Sequence, residues 1–458
     1  MAGIGFELRK LLFPGSYTGI MRAYFYAGVI SCGPWIISIL SIILLNLLLA
    51  PLVPTEERIL FSTTITHCYA IALILTGALQ FVLNRYAADK ISEGKRHRVF
   101  PSCIAALVLT VLITGTVGLV LFGFLTRESV IYKVGAIGLL VYVSLIFIAS
   151  NYLSVLRRYR SVVVGFLLGY ALACFAAWVG AREFGITGAL HGFALGQLFL
   201  LGVLLWNLQR EIGGSREIAS WEFLGHFRKF PQLALCGLFY NLGIWVDKIL
   251  FWWFSPQSFQ VSGFMHASIA YDMSIYLSLL SIVPGLAVFF LRLETSFDES
   301  YRDFFKATNH GGTLSEIRAA KRDMVATLRV GFSQLIAVQG IVTLSLLIFA
   351  ERIGTVTGIG AIQTGIFRIT LIGAFLLILF LSMLTILFYL DDRRGALICT
   401  MIFAFGNAGL SFLSLLANEA WYGFGFAAAA GAAMFVAALR VNRRIAKFEY
   451  HVFLPQAA

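Results

Sequence analysis

Charge is what this sequence has least of. Of 458 residues only 13% are Asp, Glu, Lys or Arg, whereas 59% are hydrophobic and the mean hydropathy is +0.86. A soluble domain of that length needs far more polar surface, so the composition excludes one and predicts an all-α polytopic membrane protein. Paired cysteines are missing too. Cys32, Cys68, Cys103, Cys174, Cys236 and Cys399 are scattered through apolar segments without ligand-like spacing. They read as small buried hydrophobes, not as disulfides or metal ligands. There is no Walker A loop, no GxGxxG after a strand, no HExxH and no nucleophile elbow. The chain is therefore not expected to be an enzyme, to hold a cofactor, or to hydrolyse ATP.

What is present is a series of apolar runs of roughly 18–25 residues, the length at which a helix crosses a bilayer. They predict twelve spans, near 23–49, 60–84, 101–124, 130–153, 161–181, 185–207, 231–254, 266–291, 328–350, 364–390, 395–416 and 420–440. The first run is too long for a signal-peptide core and no small-residue cleavage site follows it, so the N-terminus is expected to be retained. Residues 1–22 open with MAGIGFELRKLLF, which predicts an amphipathic interfacial segment.

The basic residues order these spans. With the N-terminus inside, 28 of the 35 Lys and Arg fall on the inner side, 6 fall outside, and Lys248 alone lies within a span. This bias satisfies the positive-inside rule and puts both termini in the cytoplasm. The net charge of +12 becomes a property of the inner surface, suited to anionic lipids and not to nucleic acid. The expected organisation is an N-lobe over 23–207 with six spans, a connector over 208–230, a C-lobe over 231–440 and a tail over 441–458. Two echoes between the halves support a parallel repeat. Phe184-Gly185-Ile186-Thr187-Gly188 matches Tyr422-Gly423-Phe424-Gly425, and Gly33-Pro34-Trp35 matches Gly243-Ile244-Trp245. Within the C-lobe, the charged loop 293–327 predicts amphipathic helix broken at Gly311-Gly312, either a docking surface for a cytoplasmic partner or a solvated connector. Asp391-Asp392-Arg393-Arg394 reads as a topogenic turn.

Phe239 to Phe254 reads FYNLGIWVDKILFWWF, with Asp247 and Lys248 adjacent inside a membrane-length helix. Each charge costs at least about 2.5–3.5 kcal/mol there, so it needs a partner, a wet cavity or a task. Neighbouring helix positions diverge by about 100°, so the two are expected not to face each other. Asp272, some six residues into the next span, is expected at the depth of Asp247. One reading is a structural ion pair between Lys248 and Asp272. The other is a carboxylate site for a proton, Na⁺ or a cationic substrate, since two acids and one base leave surplus negative charge. Trp245 lies deep enough to line a sugar-stacking wall, while Trp252 and Trp253 read as interface belt. His67 with Thr63, Thr64 and Thr66 forms a polar face, directed to a cavity or used in helix packing. His191, His266 and Arg368 are further ionisable residues placed in spans.

The stretches MAGIGFELRKLL, YFYAGVISCGPWIISIL, NLGIWVDKILFWW and AYDMSIYLSLLSIVPGLAVFFLRLETSF resemble the PelG family of Pel exopolysaccharide transporters. That family belongs to the multidrug/oligosaccharidyl-lipid/polysaccharide superfamily of flippases, and the resemblance covers essentially the whole chain. It implies two six-helix lobes around a central cavity that opens alternately to either side. It also implies export of Pel, a partly deacetylated amino-sugar polymer of the biofilm matrix, across the bacterial inner membrane. The partners it implies are synthase components: a glycosyltransferase (PelF), a cyclic-di-GMP receptor (PelD) and a scaffold (PelE). Carboxylates such as Asp247 and Asp272 would tolerate a cationic polymer. The alternatives are an exporter of lipid-linked oligosaccharide or drug, or a structural membrane anchor for a glycosyltransferase.

Overall fold

Hydrocarbon offers no partner for an open backbone hydrogen bond, so a chain this apolar has to cross as helices. The computed structural model describes residues 17–453 apart from 157, 214–216, 310 and 359. The expected N-terminal interfacial segment lies, through residue 16, outside the described residues. The elements are α1 (Tyr17–Leu49), α2 (Thr55–Ser92), α3 (Val99–Gly118, prolonged by a π-helical stretch Leu119–Phe124), α4 (Val130–Val155) and α5 (Tyr159–Ile212). There follow α6 (Phe223–Lys229), α7 (Pro231–Phe254), the strands β1 (Phe259–Ser262) and β2 (Met265–Ala267), α8 (Ile269–Leu280), and α9 (Val283–Arg292), which ends in a π-helical turn Leu293–Phe297. The last elements are α10 (Asp298–Asn309), α11 (Leu314–Ile348), α12 (Ala350–Thr357), α13 (Ala361–Tyr389), α14 (Arg393–Ala417), α15 (Phe424–Ala446) and α16 (Phe448–Phe453).

Eleven of the described helical stretches are long and apolar enough to cross a membrane. One of them, α5, has 54 residues. At 1.5 Å per residue it would run about 80 Å, far beyond a hydrocarbon core of about 30 Å. It breaks at Phe184–Gly185, where Gly185 takes φ 61°. The two arms then fold back so closely that a methyl on Gly188 would sit 2.1 Å from the Gly180 carbonyl oxygen. Counting α5 as two crossings gives the twelve spans. All six cysteines are buried and free.

By packing, the chain divides into two compact units. One is Pro34–Ile269; the other joins the residues up to Gly33 with Ala270 onward. The division inside α1 falls at Pro34, which cannot donate to the helical ladder. These boundaries differ from lobes drawn by span order, because α7 packs on α2 within the Pro34–Ile269 unit.

In the Pro34–Ile269 unit, α2, α3, α4 and α5 share one apolar core. The end of these helices rich in Lys and Arg is strapped by the connector before α6. The Ser220 amide donates to the Pro101 carbonyl at 3.1 Å. Glu222 accepts Lys90 Nζ at 3.1 Å, together with Arg98 and Tyr86. His226 Nε2 lies 3.5 Å from Asp89.

In the second unit, the break between α8 and α9 is sealed from α11. Gln339 Nε2 donates to the Ser281 carbonyl at 2.9 Å and its Oε1 accepts the Gly285 amide at 3.1 Å. Ser278 Oγ meets Thr370 Oγ1 of α13 at 2.6 Å, a polar fastening of the kind bilayer helices use. Thr313 and Glu316 form a capping box at the start of α11. Phe304 of α10 is buried and its ring lies 5.0 Å from that of Phe448, while Tyr301 donates to the Tyr389 carbonyl at 3.0 Å. The apolar side of α10 is thus covered by the chain's own aromatic residues. Asp391–Arg394 is a turn: Arg393 binds Asp391 through two nitrogens, each at 2.8 Å, and Asp392 caps the Gly395 amide.

Candidate functional site

The site grows from one close helix contact. A methyl on Gly237 of α7 would lie 2.0 Å from the Gly77 carbonyl oxygen of α2, so both positions must stay bare. From Gly237 the same face of α7 continues at Asn241, Trp245, Lys248 and Trp252, the spacing of a helical stripe. All of these are buried. Asn241 Nδ2 turns back to the Gly237 carbonyl at 2.9 Å, and the rings of Phe81 and Tyr240 stack beside the contact.

Asp247 is 0% and Lys248 1% exposed, and they contact each other. Lys248 Nζ donates to the Ile244 carbonyl at 2.7 Å and reaches Asp247 Oδ1 and Oδ2 at 3.2 and 3.3 Å. The expectation that these neighbours do not face each other is therefore corrected. Their Cβ vectors diverge, but the four-carbon lysine stem arcs back over the previous turn and closes the gap. The same ammonium lies 5.8 Å from the centre of the Trp245 ring. Asp247 is the one acidic residue buried in the Pro34–Ile269 unit among the described residues. With Lys248 it makes a pair of zero net charge.

Asp272 belongs to the other compact unit, half-buried in the first turn of α8. Its expected position six residues into a span is corrected, because β1 and β2 occupy 259–267 and the helix starts at Ile269. At a helix N-terminus a carboxylate is favoured by the helix dipole. Within the Pro34–Ile269 unit, Lys248 balances the one buried acid, Asp247, among the described residues.

Around the pair runs a row of rings. His67 of α2 stacks on Trp252, with ring centres 4.3 Å apart and planes at 24°. Trp252 approaches Trp245 at 6.2 Å, and Phe264 meets His67 edge-on at 5.8 Å. Trp252 is 2% exposed and Trp253 51%, so the belt reading is corrected for Trp252. Position 252 lies seven residues, two turns, from Trp245 on the α2-facing stripe; position 253 is rotated off it. His67 Nδ1 lies 2.9 Å from the Thr63 carbonyl, which can only accept, so Nδ1 carries the proton. That leaves Nε2 as an acceptor, buried and without a hydrogen-bond partner among the described residues. Trp245 Nε1, a donor, is likewise buried without a partner. Thr64, by contrast, is spent on packing, its hydroxyl 2.9 Å from that of Tyr132.

Phe264 arrives on the β1–β2 hairpin, which an all-helical reading missed. Gly263 takes φ 56° at its turn, and a methyl there would lie 1.8 Å from the Leu125 carbonyl oxygen; the next amide, of Phe264, donates to that oxygen at 3.1 Å. The signal was present in Phe259-Gln260-Val261-Ser262-Gly263, an alternation closed by a turn residue. His266 sits on β2, not in a span. His191 donates from Nε2 to the Ile131 carbonyl at 2.9 Å. Arg368 is a half-exposed partner of Glu351 at 2.9 Å. Of these, His266 stays beside the ring row, its ring 5.2 Å from that of Trp253.

Twelve helical crossings, a helix broken within a span and a polar seam among the spans define a polytopic membrane protein. Solved transporters of the multidrug/oligosaccharidyl-lipid/polysaccharide (MOP) superfamily share this fold. A MOP superfamily transporter from Pyrococcus furiosus aligns with a TM-score of 0.66 at 12% identity, over 93% of this chain and 96% of that one. An outward-facing multidrug resistance MATE family transporter gives 0.66 at 15% identity with the same coverage, and an inward-facing one gives 0.58 at 12%, covering 93% and 95%. No curated relative matches the chain. The sequence profile described as "PelG: Putative exopolysaccharide Exporter (EPS-E)" matches residues 1–453, and the chain belongs to that family. It is a family of transporters, not of enzymes.

Proposed function

We propose that this chain exports the Pel amino-sugar exopolysaccharide across the bacterial inner membrane, with no ATPase of its own. The basic ends of the spans then face the cytoplasm, as the positive-inside rule requires, together with both termini. The observation that carries the reading is the buried row of His67, Trp252 and Trp245 with one unfilled acceptor and one unfilled donor. A sugar ring offers an apolar face for stacking, and its hydroxyls both donate and accept. Beneath this row the Asp247–Lys248 pair is enclosed and without net charge, so it sets no deep electrostatic trap for a passing sugar. The glycosyltransferase (PelF), cyclic-di-GMP receptor (PelD) and scaffold (PelE) expected from the family are the partners this reading needs. The charged side of α10 is where a cytoplasmic component would meet the chain.

The test is export in cells lacking the chain and supplied with variants. Trp245→Leu combined with Trp252→Leu is expected to cut secreted polymer about tenfold or more, the effect of losing ~1.4 kcal/mol of ring stacking. Membrane levels of the chain, co-purification of the synthase components and polymer synthesis by isolated membranes should be unchanged. Full export by the double variant would sink the proposal, and loss of the synthase components would point to an anchor instead.

A further inference from the structure

A cavity of about 280 Å³ opens where the end of α4 meets both ends of α5, lined by Leu153, Arg158, Ser161, Asn207, Arg210 and Glu211. The elbow at Phe184–Gly185 is what brings the first and last turns of α5 together here. Glu211 orients one wall: Arg158 Nη2 binds it at 2.8 Å and Arg96 Nη2 approaches it at 3.7 Å. Arg210 makes no ion pair among the described residues, so the cavity keeps excess positive charge. Its lining suits a phosphate, which guanidinium groups bind through paired donors.

Along α5 from Arg210 runs an apolar track. Leu195, Phe199 and Trp206 are all exposed and fall with Gly202 and Arg210 on one helix face, at spacings of four, three, four and four residues. A methyl on Gly202 would meet nothing within 4 Å, which leaves a shallow groove between the two rings. From Leu195 to Trp206 the track measures about 16 Å, close to one leaflet of a ~30 Å hydrocarbon core. Trp206 sits at the junction of track and cavity, the depth at which indole prefers the interface.

We propose that this cavity and track hold one anionic phospholipid of the leaflet on the basic face. Its phosphate lies on Arg158 and Arg210, and an acyl chain runs over Trp206, Gly202 and Phe199. The charge of the cavity selects the headgroup, and the length of the track selects a lipid over a soluble phosphate ester.

Native mass spectrometry of the full chain in detergent tests this with dioleoyl phosphatidylglycerol, dioleoyl phosphatidylcholine and inorganic phosphate as probes. One phosphatidylglycerol molecule should be retained in preference to phosphatidylcholine. Arg158→Gln with Arg210→Gln should weaken that retention roughly ten- to thirtyfold. Gly202→Leu, which fills the groove at an open position, should weaken phosphatidylglycerol binding while the arginines remain. Arg322→Gln with Arg443→Gln, two exposed arginines outside the cavity, should change nothing. Equal retention by the Arg158/Arg210 variant at unchanged thermal stability would overturn the site. Displacement of bound lipid by millimolar phosphate, with no effect of Gly202→Leu, would overturn the lipid assignment in favour of a soluble phosphate ester.

Discussion

Asp247 and Glu222 belong to the same compact unit and each meets a lysine at nearly the same distance, 3.2 Å to Lys248 and 3.1 Å to Lys90. Their surroundings differ. Asp247 and Lys248 are enclosed on a helix seam, whereas Glu222 stands at the basic end with a side chain 39% exposed and shares its charge among Lys90, Arg98 and Tyr86. In water the partners of a broken pair are simply rehydrated; in a dry seam the survivor is stranded. Distance alone therefore says little about what a pair does.

The comparison breaks most sharply at Lys248. Lys248→Met removes the lysine partner of the buried Asp247 and should cost about 3–5 kcal/mol of stability, read by unfolding in mixed micelles. Asp247→Asn added to it should restore most of the loss; a double variant as unstable as the single one would show that the pair is not the cause. Gly237→Ala touches neither charge but wedges α7 from α2, and should cost about 1–3 kcal/mol. If the seam's dryness governs the pair, the coupling between positions 247 and 248 should shrink in that background, and an unchanged coupling would count against it. Glu222→Gln is the mild case, about 0.2–1 kcal/mol and weaker still in high salt.

Glu222 also carries a pH signature. Burial pushes its carboxyl up, but the hydrogen bond from Lys90 and the charges of Lys90 and Arg98 outweigh this and hold it below the usual 4.5. A depressed folded value means its contribution is complete above 4.5 and is lost as pH falls from there through the folded value. Unfolding of the parent and Glu222→Gln chains between pH 7 and 4 should converge at the acid end. Curves that stay parallel would remove Glu222 from the cluster's energetics.

Much of the fold was legible. Residues 231–254 were expected as a span and form α7 over that range, because hydropathy and bilayer thickness act on each segment separately. The break in α5 was also legible, from Gly185 between two apolar runs. Side-chain reach and pairing between distant segments were not. The return of Lys248 to Asp247 depends on a flexible stem, the burial of Trp252 beside exposed Trp253 depends on where α2 lies, and Gln339 looked like any polar residue until the α8–α9 break gave it two backbone groups to satisfy. The hairpin was lost in an apolar background, and with it the position of Asp272.

The elbow of α5 has a consequence for how the chain is made. Its turn is too tight to leave a polar loop between the crossings, and its tip carries Arg182, stacked at 3.8 Å on Trp178, and Glu183. With the first arm spanning, those charges stand at the far face, and the second arm has to return directly against the first. The two arms are thereby committed to pair through Gly180 and Gly188 once both are in the bilayer.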